Sequence, residues 1–358
     1  RLTVYCKPCS VQWLTMSNDH GSNCVNDTSS RILTALATKG EWVSSARMVE
    51  ELGVSRMAVC KQVRRLRGLG YGIEASPRRG YRLTARTDQA VPEEVAPMLR
   101  TRVIGRPYRY LAAVDSTNAF LRSRIAEFSE GTTVAAGSQS QGRGRLHREW
   151  FSPSGVNVYL SVLLKPATSP LLAPQLSLVA ACAVLRALHA VGCEEAGVKW
   201  PNDILWRGKK LAGILCEMDA ETDIIHAVII GIGVNVNMTA FPGSLKRTAT
   251  SLSKALGRPA PVPAMTAEIL NQLDDAYADW RRAGLPETVR FLNRHTILSG
   301  RDVEISLSDG KIRGRAERIT DTGMLHVVQA DGAAQDLVSG EVHLCRPAAA
   351  TEWACGHE

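Results

Sequence analysis

The spacing of apolar residues changes twice along this chain, and those changes limit what it can fold into. From Ser30 to Leu66 apolar residues recur at helical spacing. Ile32, Leu33 and Leu36 predict a short helix ending at Gly40. Ser44 and Ser45 are suited to cap a second helix that carries Val49 and Leu52 inward. Gly53 makes the turn, and Ser55 caps a third helix with Val59, Val63 and Leu66 on one face. Helix, glycine turn and helix form the helix-turn-helix pattern. Two extended runs around Ser76-Pro-Arg-Arg-Gly80, between Ile73 and Leu83, then predict a β-hairpin wing. Past Ser299 the pattern becomes short runs, 303–307, 312–319, 324–329 and 336–338, separated by turns with Asp and Gly. That is the signature of a small antiparallel barrel or sandwich.

Between these ends lies a larger α/β region. Strands are predicted at 108–114, 132–136, 156–164, 198–200, 211–218 and 224–236. A helix containing Phe120, Leu121 and Ile125, a buried apolar helix over 176–191 and an amphipathic helix over 265–280 complete it. Residues 86–100, with two prolines and mixed charge, read as a linker. Residues 1–28 are polar and aperiodic, and read as a disordered or misassigned tail. The domain boundaries expected are therefore 29–86, 87–298 and 299–346, with a short tail over 347–358. A chain of 358 residues has room for two or three domains.

Composition narrows the setting. The apolar run from Ile224 to Val234 contains His226 and is far shorter than the roughly 20 residues a membrane span needs. No cationic segment followed by an apolar core opens the chain, so neither a signal peptide nor a membrane partner is expected. Nine cysteines are scattered. Cys6 and Cys9 form a CxxC with no second pair at zinc-like spacing, and Cys24 and Cys60 are irregularly placed. Reduced thiols, a cytoplasmic location and no metal site of the protein's own are expected.

The formal charge of +8 is modest, but its distribution is not. Arg56, Lys61, Arg64, Arg65, Arg67, Arg78, Arg79 and Arg82 fall between Ser55 and Arg82, against Glu74 alone. The excess lies where a recognition helix and wing meet DNA. Ser55, Arg56, Lys61, Arg64, Arg65, Arg78 and Arg79 are the candidate contacts. A winged helix that packs on protein is the alternative.

Four segments of the central region are unusually polar for their apolar setting. Asp115-Ser-Thr-Asn118 sits at a strand-to-helix junction, where free N–H groups and hydroxyls hold either a ligand headgroup or simply the helix end. Gln139-Ser-Gln-Gly-Arg-Gly-Arg-Leu-His-Arg-Glu-Trp150 mixes glycines with arginines. Glycine lets backbone approach a ligand, and the arginine fork suits carboxylate and phosphate. The segment is an anion clamp or a basic surface loop. Val198-Lys-Trp-Pro-Asn-Asp203 clusters a lysine, an amide and a carboxylate where a strand runs out, a common ligand position. Lys210 opens an apolar strand, so its ammonium points into a pocket or into solvent. Gly231-Ile-Gly-Val-Asn-Val-Asn237 has no GxGxxG context, which rejects a Rossmann site.

In this order the segments closely resemble the biotin–protein ligases, over roughly residues 30–346. The matching elements are Asp115-Ser-Thr-Asn118, Gln139-x-x-Gly-Arg-Gly-Arg145 with Trp150, Lys199-Trp-Pro-Asn-Asp203, Lys210-Leu-Ala-Gly-Ile214 and Gly233-Val-Asn235. The winged helix further resembles the subgroup in which the ligase also represses biotin operons. The resemblance implies a multidomain α+β chain: an N-terminal winged helix-turn-helix, a central ligase domain of the class II aminoacyl-tRNA-synthetase-like type and an SH3-like C-terminal domain.

It also implies a reaction. Biotin carboxylate attacks the α-phosphate of ATP, Mg²⁺ entering with the ATP phosphates, to give biotinyl-5′-adenylate. A lysine of the biotin carboxyl carrier domain of acetyl-CoA carboxylase then takes the biotin. By carry-over, Ser116, Thr117, Asn118 and Gln139 hold biotin, with Gly142, Arg143, Gly144 and Arg145 looping over carboxylate and phosphate. Arg145, Lys199 and Lys210 are the catalytic candidates, Lys210 bridging carboxylate and α-phosphate. Arg143, Arg148, Trp150, Lys199, Asn202, Lys210 and Asn235 are the ATP candidates. Gly213 leaves the ligand room, and the strand from Leu211 to Leu215 lines an apolar trough. Operator DNA and a homodimer in the adenylate-bound state are the implied partners. A biotin-sensing regulator without catalysis and a lipoate-type ligase are the competing readings; the phosphate-binding set argues against the first and the Gly-Arg-Gly-Arg loop against the second. The family loop reads Gly-Arg-Gly-Arg-x-Gly-Arg-x-Trp, and here His147 replaces its last glycine. That replacement bears on how freely the loop closes. The sequence leaves the adenine site open.

Overall fold

The computed structural model describes residues 27–37, 41–221, 224–307 and 310–345. The expected N-terminal tail, Cys6, Cys9 and Cys24 lie almost wholly or entirely outside this range, as does the 347–358 tail.

The N-terminal unit is α1 (Asp27–Ala37), α2 (Ser45–Leu52), α3 (Arg56–Gly68) and the hairpin β1 (Gly72–Ser76) and β2 (Gly80–Ala85). Its two helix caps are those expected. Ser44 accepts from Arg47 N, Ser55 accepts from Ala58 N, and Gly53 takes φ 65° between the helices. Met48, one turn before Leu52, joins it in the core, and Val49 packs partly buried against that core. Val59, Val63 and Leu66 pack with Ile32, Leu36 and Ile73 in a core separate from the rest of the chain.

The segment expected as a linker is ordered. It holds α4 (Pro92–Val95), with Val91 in the core of the N-terminal unit and Ala90 and Val95 in that of the next. Pro92 at the first helical position favours this short helix.

The central sheet has seven strands, β3 (Tyr108–Leu111), β4 (Thr133–Ala136), β5 (Val158–Leu164), β6 (Ala196–Lys199), β7 (Asp203–Trp206), β8 (Lys209–Ala220) and β9 (Ile225–Val234). Their order is β3-β4-β5-β9-β8-β7-β6, parallel between β3 and β4 and antiparallel elsewhere. β7 escaped the sequence reading because four residues after a proline carry little pattern. β5 is buried along its whole length rather than alternating, since both of its faces are covered. α5 (Thr117–Arg122) closes the face that holds Leu163 and Ile229, and it stops short of Ile125. The opposite face carries α6 (Gln175–Ala190), and behind it α9 (Val262–Ala283). The stretch Pro170–Ala190, not Ile224–Val234, is long and apolar enough by composition to cross a bilayer. Most of α6 is instead buried inside the protein.

Two short helices, α7 (Leu245–Thr248) and α8 (Leu252–Leu256), follow β9, and α10 (Pro286–His295) follows α9. Strands β10 (Arg301–Ser306), β11 (Lys311–Ile319), β12 (Leu325–Val328), β13 (Ala334–Leu337) and β14 (Glu341–Leu344) form the C-terminal antiparallel sheet, in the order β13-β12-β11-β10-β14. Ile305, Ala316, Leu325 and Val342 belong to the same buried cluster as α6 and α9. The C-terminal sheet is thus packed onto the central unit, and β14 reaches the rim of the site described next.

Candidate active site

A cavity of about 510 Å³ opens where β5, β9, β8 and β7 run past the start of α5. Ser116, Thr117, Asn118 and Gln139 give it a polar wall. Ser116 caps α5 by accepting from Ala119 N, so the capping role is real, but Thr117 and Asn118 face the cavity. Thr117 N and Oγ1 both donate to Gln139 Oε1, at 2.9 and 3.1 Å, and Gln139 Nε2 donates to Ser152 Oγ. Asn118 Nδ2 donates to Glu217 Oε2 at 2.7 Å, and Ser161 Oγ bonds Thr117 Oγ1. A Cβ on Gly231 would sit 2.4 Å from Asn118 Oδ1, so this seat needs glycine there. Ser161 and Glu217 were not singled out from sequence, because they come from within strands, and Gly231 was noted only in the segment that rejects a Rossmann site.

The Gly/Arg segment is a small hairpin over one side of the cavity. Arg143 and Glu149 pair across it, Gly144 N donates to Arg148 O, and Trp150 N donates to Gly142 O. Its tip is a 3₁₀ turn over Arg145–His147, and Leu146 takes the left-handed position there, with φ 54°. Gly142 is buried in the hairpin outside the cavity lining, where a Cβ would meet Trp150 O at 2.4 Å. Trp150 turns inward. A Cβ on Gly233 would lie 2.5 Å from its indole, and one on Gly213 3.0 Å. Its Nε1 is buried with no hydrogen-bond partner among the described residues.

The cationic residues converge on the same space. Lys210 Nζ lies 2.7 Å from Asp203 Oδ1 and 5.3 Å from the Trp150 ring centroid. Arg145 donates to Asn202 Oδ1 at 3.1 Å, which ties the hairpin to the 199–203 segment. Burial depresses the Lys199 ammonium below its ordinary value; Asp203 opposes this and Lys210 reinforces it. Arg148 is turned to the rim, where it is 2.6 Å from Glu341 of β14. Burial alone would raise the Glu341 carboxyl, but the Arg148 hydrogen bond and the nearby positive charges hold it below the ordinary range. Trp200 Nε1 also bonds Gly323 O of the C-terminal unit. Neither link was foreseen, since nothing local marks it.

Leu205, Ile214, Leu215 and Ile232 supply apolar lining, whereas Leu211 is fully buried in the core and takes no part in the trough. Asn235 lines the cavity and accepts weakly from Asn157 at 3.5 Å. Beyond it Met238, Phe241, Leu245 and Ala249 make an apolar end. Thr250 N bonds Lys210 O, which holds this end against β8. Cys182 and Cys193 are pushed up to about 11 and Cys216 to about 12 by burial, so they stay as thiols.

On the N-terminal unit Arg56, Lys61 and Arg64 are exposed along α3, and Arg78 and Arg79 at the tip of the wing. Ser55 spends its oxygen on the cap. Arg65 departs from the expected DNA set: it turns back to Ser29 and Glu93, 2.9 and 2.6 Å away.

Three family models match the chain: the Biotin/lipoate A/B protein ligase family over residues 110–235, an HTH domain over 28–82 and the Biotin protein ligase C terminal domain over 298–344. The bifunctional ligase/repressor BirA of Bacillus spizizenii is 35% identical over 307 residues, covering 85% of this chain and 94% of its own length. The Escherichia coli protein of the same name is 30% identical over 316 residues, covering 87% and 96%. Among solved structures, the Aquifex aeolicus biotin protein ligase in complex with biotin and ATP superposes with a TM-score of 0.59 at 30% identity, over 67% of this chain and 98% of that one. With the site geometry, the helix-turn-helix unit and the C-terminal sheet all in place, the chain belongs to the biotin protein ligase family and has the domain set of its bifunctional ligase/repressor members.

Proposed function

We propose that this protein is an ATP-dependent biotin–protein ligase that also binds operator DNA, with its own adenylate product as corepressor. The convergence of Lys210, Lys199 and Arg145 on one apolar-sided cavity carries this reading. Two anions must meet there, and cations already held in place lower that barrier without reorganisation.

The seat formed by Thr117, Asn118 and Gln139 offers both donors and acceptors, as a cyclic urea requires. The alkyl tail of biotin then lies along Leu205, Leu215 and Ile232, and its carboxylate reaches Lys210. A carboxylate oxygen attacks the α-phosphorus, the bond to the bridging oxygen breaks, and pyrophosphate leaves. Lys210 exchanges Asp203 for the carboxylate and α-phosphate oxygens. Lys199 and Arg143 face the departing phosphates, and Asn202 and Asn235 stand where ATP and its Mg²⁺ enter. The apolar end at Phe241 and Ala249 suits a purine. Arg145 closes over the mixed anhydride. A neutral lysine amine of the carrier domain then attacks the biotinyl carbonyl, AMP leaves, and the amine nitrogen loses a proton.

The exposed arginines of α3 and the wing support duplex binding, and one winged helix covers little DNA, so a dimer on a palindromic operator is the expected form. A cytoplasmic location belongs to this reading. Biotin-dependent pyrophosphate exchange tests the core of the proposal. Exchange with biotin and not with lipoate is expected; its absence in purified protein would leave the non-catalytic regulator instead.

A further inference from the structure

Trp42 lies in the short connection between α1 and α2, outside both the cavity lining and the helix-turn-helix core. Its ring holds two guanidinium groups of the wing: Arg79 Cζ is 4.3 Å from the ring centroid and Arg82 Cζ 5.1 Å. The backbone brings them together. Val43 and Tyr81 exchange hydrogen bonds at 2.8 and 2.9 Å, so the connection runs as a third extended segment beside β2. Gly80 has φ 92°, and a Cβ there would stand 2.0 Å from Val43 O, so the wing tip is pressed against this segment.

The two arginines differ in what they have left to offer. Arg82 is paired with Glu74 at 2.7 Å. Among the described residues no carboxylate pairs with Arg79, which remains exposed at the turn, its backbone N–H bonded to Ser76 Oγ. We infer that Trp42 is a positioning residue for DNA recognition: its ring stacks the Arg79 guanidinium and presents it, beside Arg56, Lys61 and Arg64 of α3, to the backbone or narrow groove of a duplex. The inference rests on the reading of the N-terminal unit as DNA-binding. A free arginine loses much of its rotamer freedom when it binds; a stacked one has lost it already. The ring is occupied by cations, which favours duplex phosphate over an unstacked base as the partner.

The test uses the full chain and a mixed-sequence DNA duplex, read by fluorescence anisotropy across a salt series. Trp42→Ala should bind about 3- to 10-fold more weakly than the parent, while Trp42→Phe, which keeps an aromatic face, should stay within about twofold. Trp42→Ala added to Arg79→Ala should cost little further, because the one guanidinium the ring then keeps, that of Arg82, is already paired with Glu74. Pyrophosphate exchange should be unchanged in all of them. Wild-type affinity in Trp42→Ala, or full additivity with Arg79→Ala, overturns the inference. So does tighter binding of a single-stranded oligonucleotide than of the duplex. If Trp42→Ala unfolds the arm, Arg79→Lys carries the test: it keeps the charge but loses the planar stack, and an affinity equal to the parent's overturns the proposal. A parent that binds no duplex at all removes the DNA reading itself, which separates that failure from this one.

Discussion

Lys210 Nζ and Asp203 Oδ1 are 2.7 Å apart on neighbouring strands, in the middle of a cavity lined by other cations. The pair holds the ammonium in the cavity, where the proposed reaction brings a carboxylate and a phosphate together. It is partly solvated, so its worth to stability is small, about 1 kcal/mol or less. Lys210→Ala should therefore lower biotin-dependent pyrophosphate exchange by at least about 100-fold and barely move the thermal unfolding midpoint. Exchange within a few-fold of the parent would take Lys210 out of the mechanism.

Arg145 reaches across the cavity to Asn202 Oδ1. Arg145→Gly cuts that bridge and removes the cation proposed to close over the mixed anhydride. Adenylate should escape early and label bystander proteins such as albumin, an outcome visible on a streptavidin blot. Asn202→Ala should do so more weakly. Labelling confined to the carrier domain in both variants would show that neither residue retains the adenylate.

Two glycines of β9, Gly231 and Gly233, line the proposed biotin seat. Gly231→Ala puts a methyl 2.4 Å from Asn118 Oδ1, and Gly233→Ala puts one 2.5 Å from the Trp150 indole. The first should raise the KM for biotin by about tenfold or more, with less effect on ATP, because the displaced amide leaves buried polar groups unpaired. The second should instead push the hairpin outward. Equal effects of the two on both substrates would count against this division of the cavity.

The Glu341 carboxyl is held low, chiefly by Arg148 against the opposing effect of burial. For a depressed acid, the stabilisation is fully present above the ordinary value of 4.5 and is lost as pH falls through the lower folded value. The contact between the hairpin and β14 should thus be insensitive to pH near neutrality and loosen only in acid. Glu341→Gln should mimic that loosening at pH 7, seen as faster proteolysis of the hairpin. Unchanged cleavage would show that the hairpin is held by other contacts.

Arg65 is a structural residue in this arrangement. The Glu93 side chain is 1% exposed and that of Arg65 34%, and Glu93 Oε2 already lacks a partner. Arg65→Met strands the carboxylate and should destabilise the N-terminal unit by about 2–3 kcal/mol, below the range for fully buried pairs because Arg65 is partly wet. A normal unfolding profile combined with lost DNA affinity would return Arg65 to the contact set.

Local pattern was enough for much of this protein. The caps at Ser44 and Ser55, the turn at Gly53 and the face of Val59, Val63 and Leu66 depend on residues a few positions apart. So does the mixture of glycine and arginine in the hairpin, and the ordered motifs from Asp115 to Asn235 carry the resemblance to the ligase family. Only the tertiary structure decided which groups meet. Glu341 follows Arg148 by 193 positions, and Glu93 follows Arg65 by 28. Ser161, Glu217 and Gly231 sit within strands whose pattern records only burial. Such pairings depend on strand order and on how β14 and α4 dock, and long-range packing leaves no periodic trace in the chain. The same holds for Trp42, an aromatic in a short connection, whose partners became visible only when the wing folded back upon it.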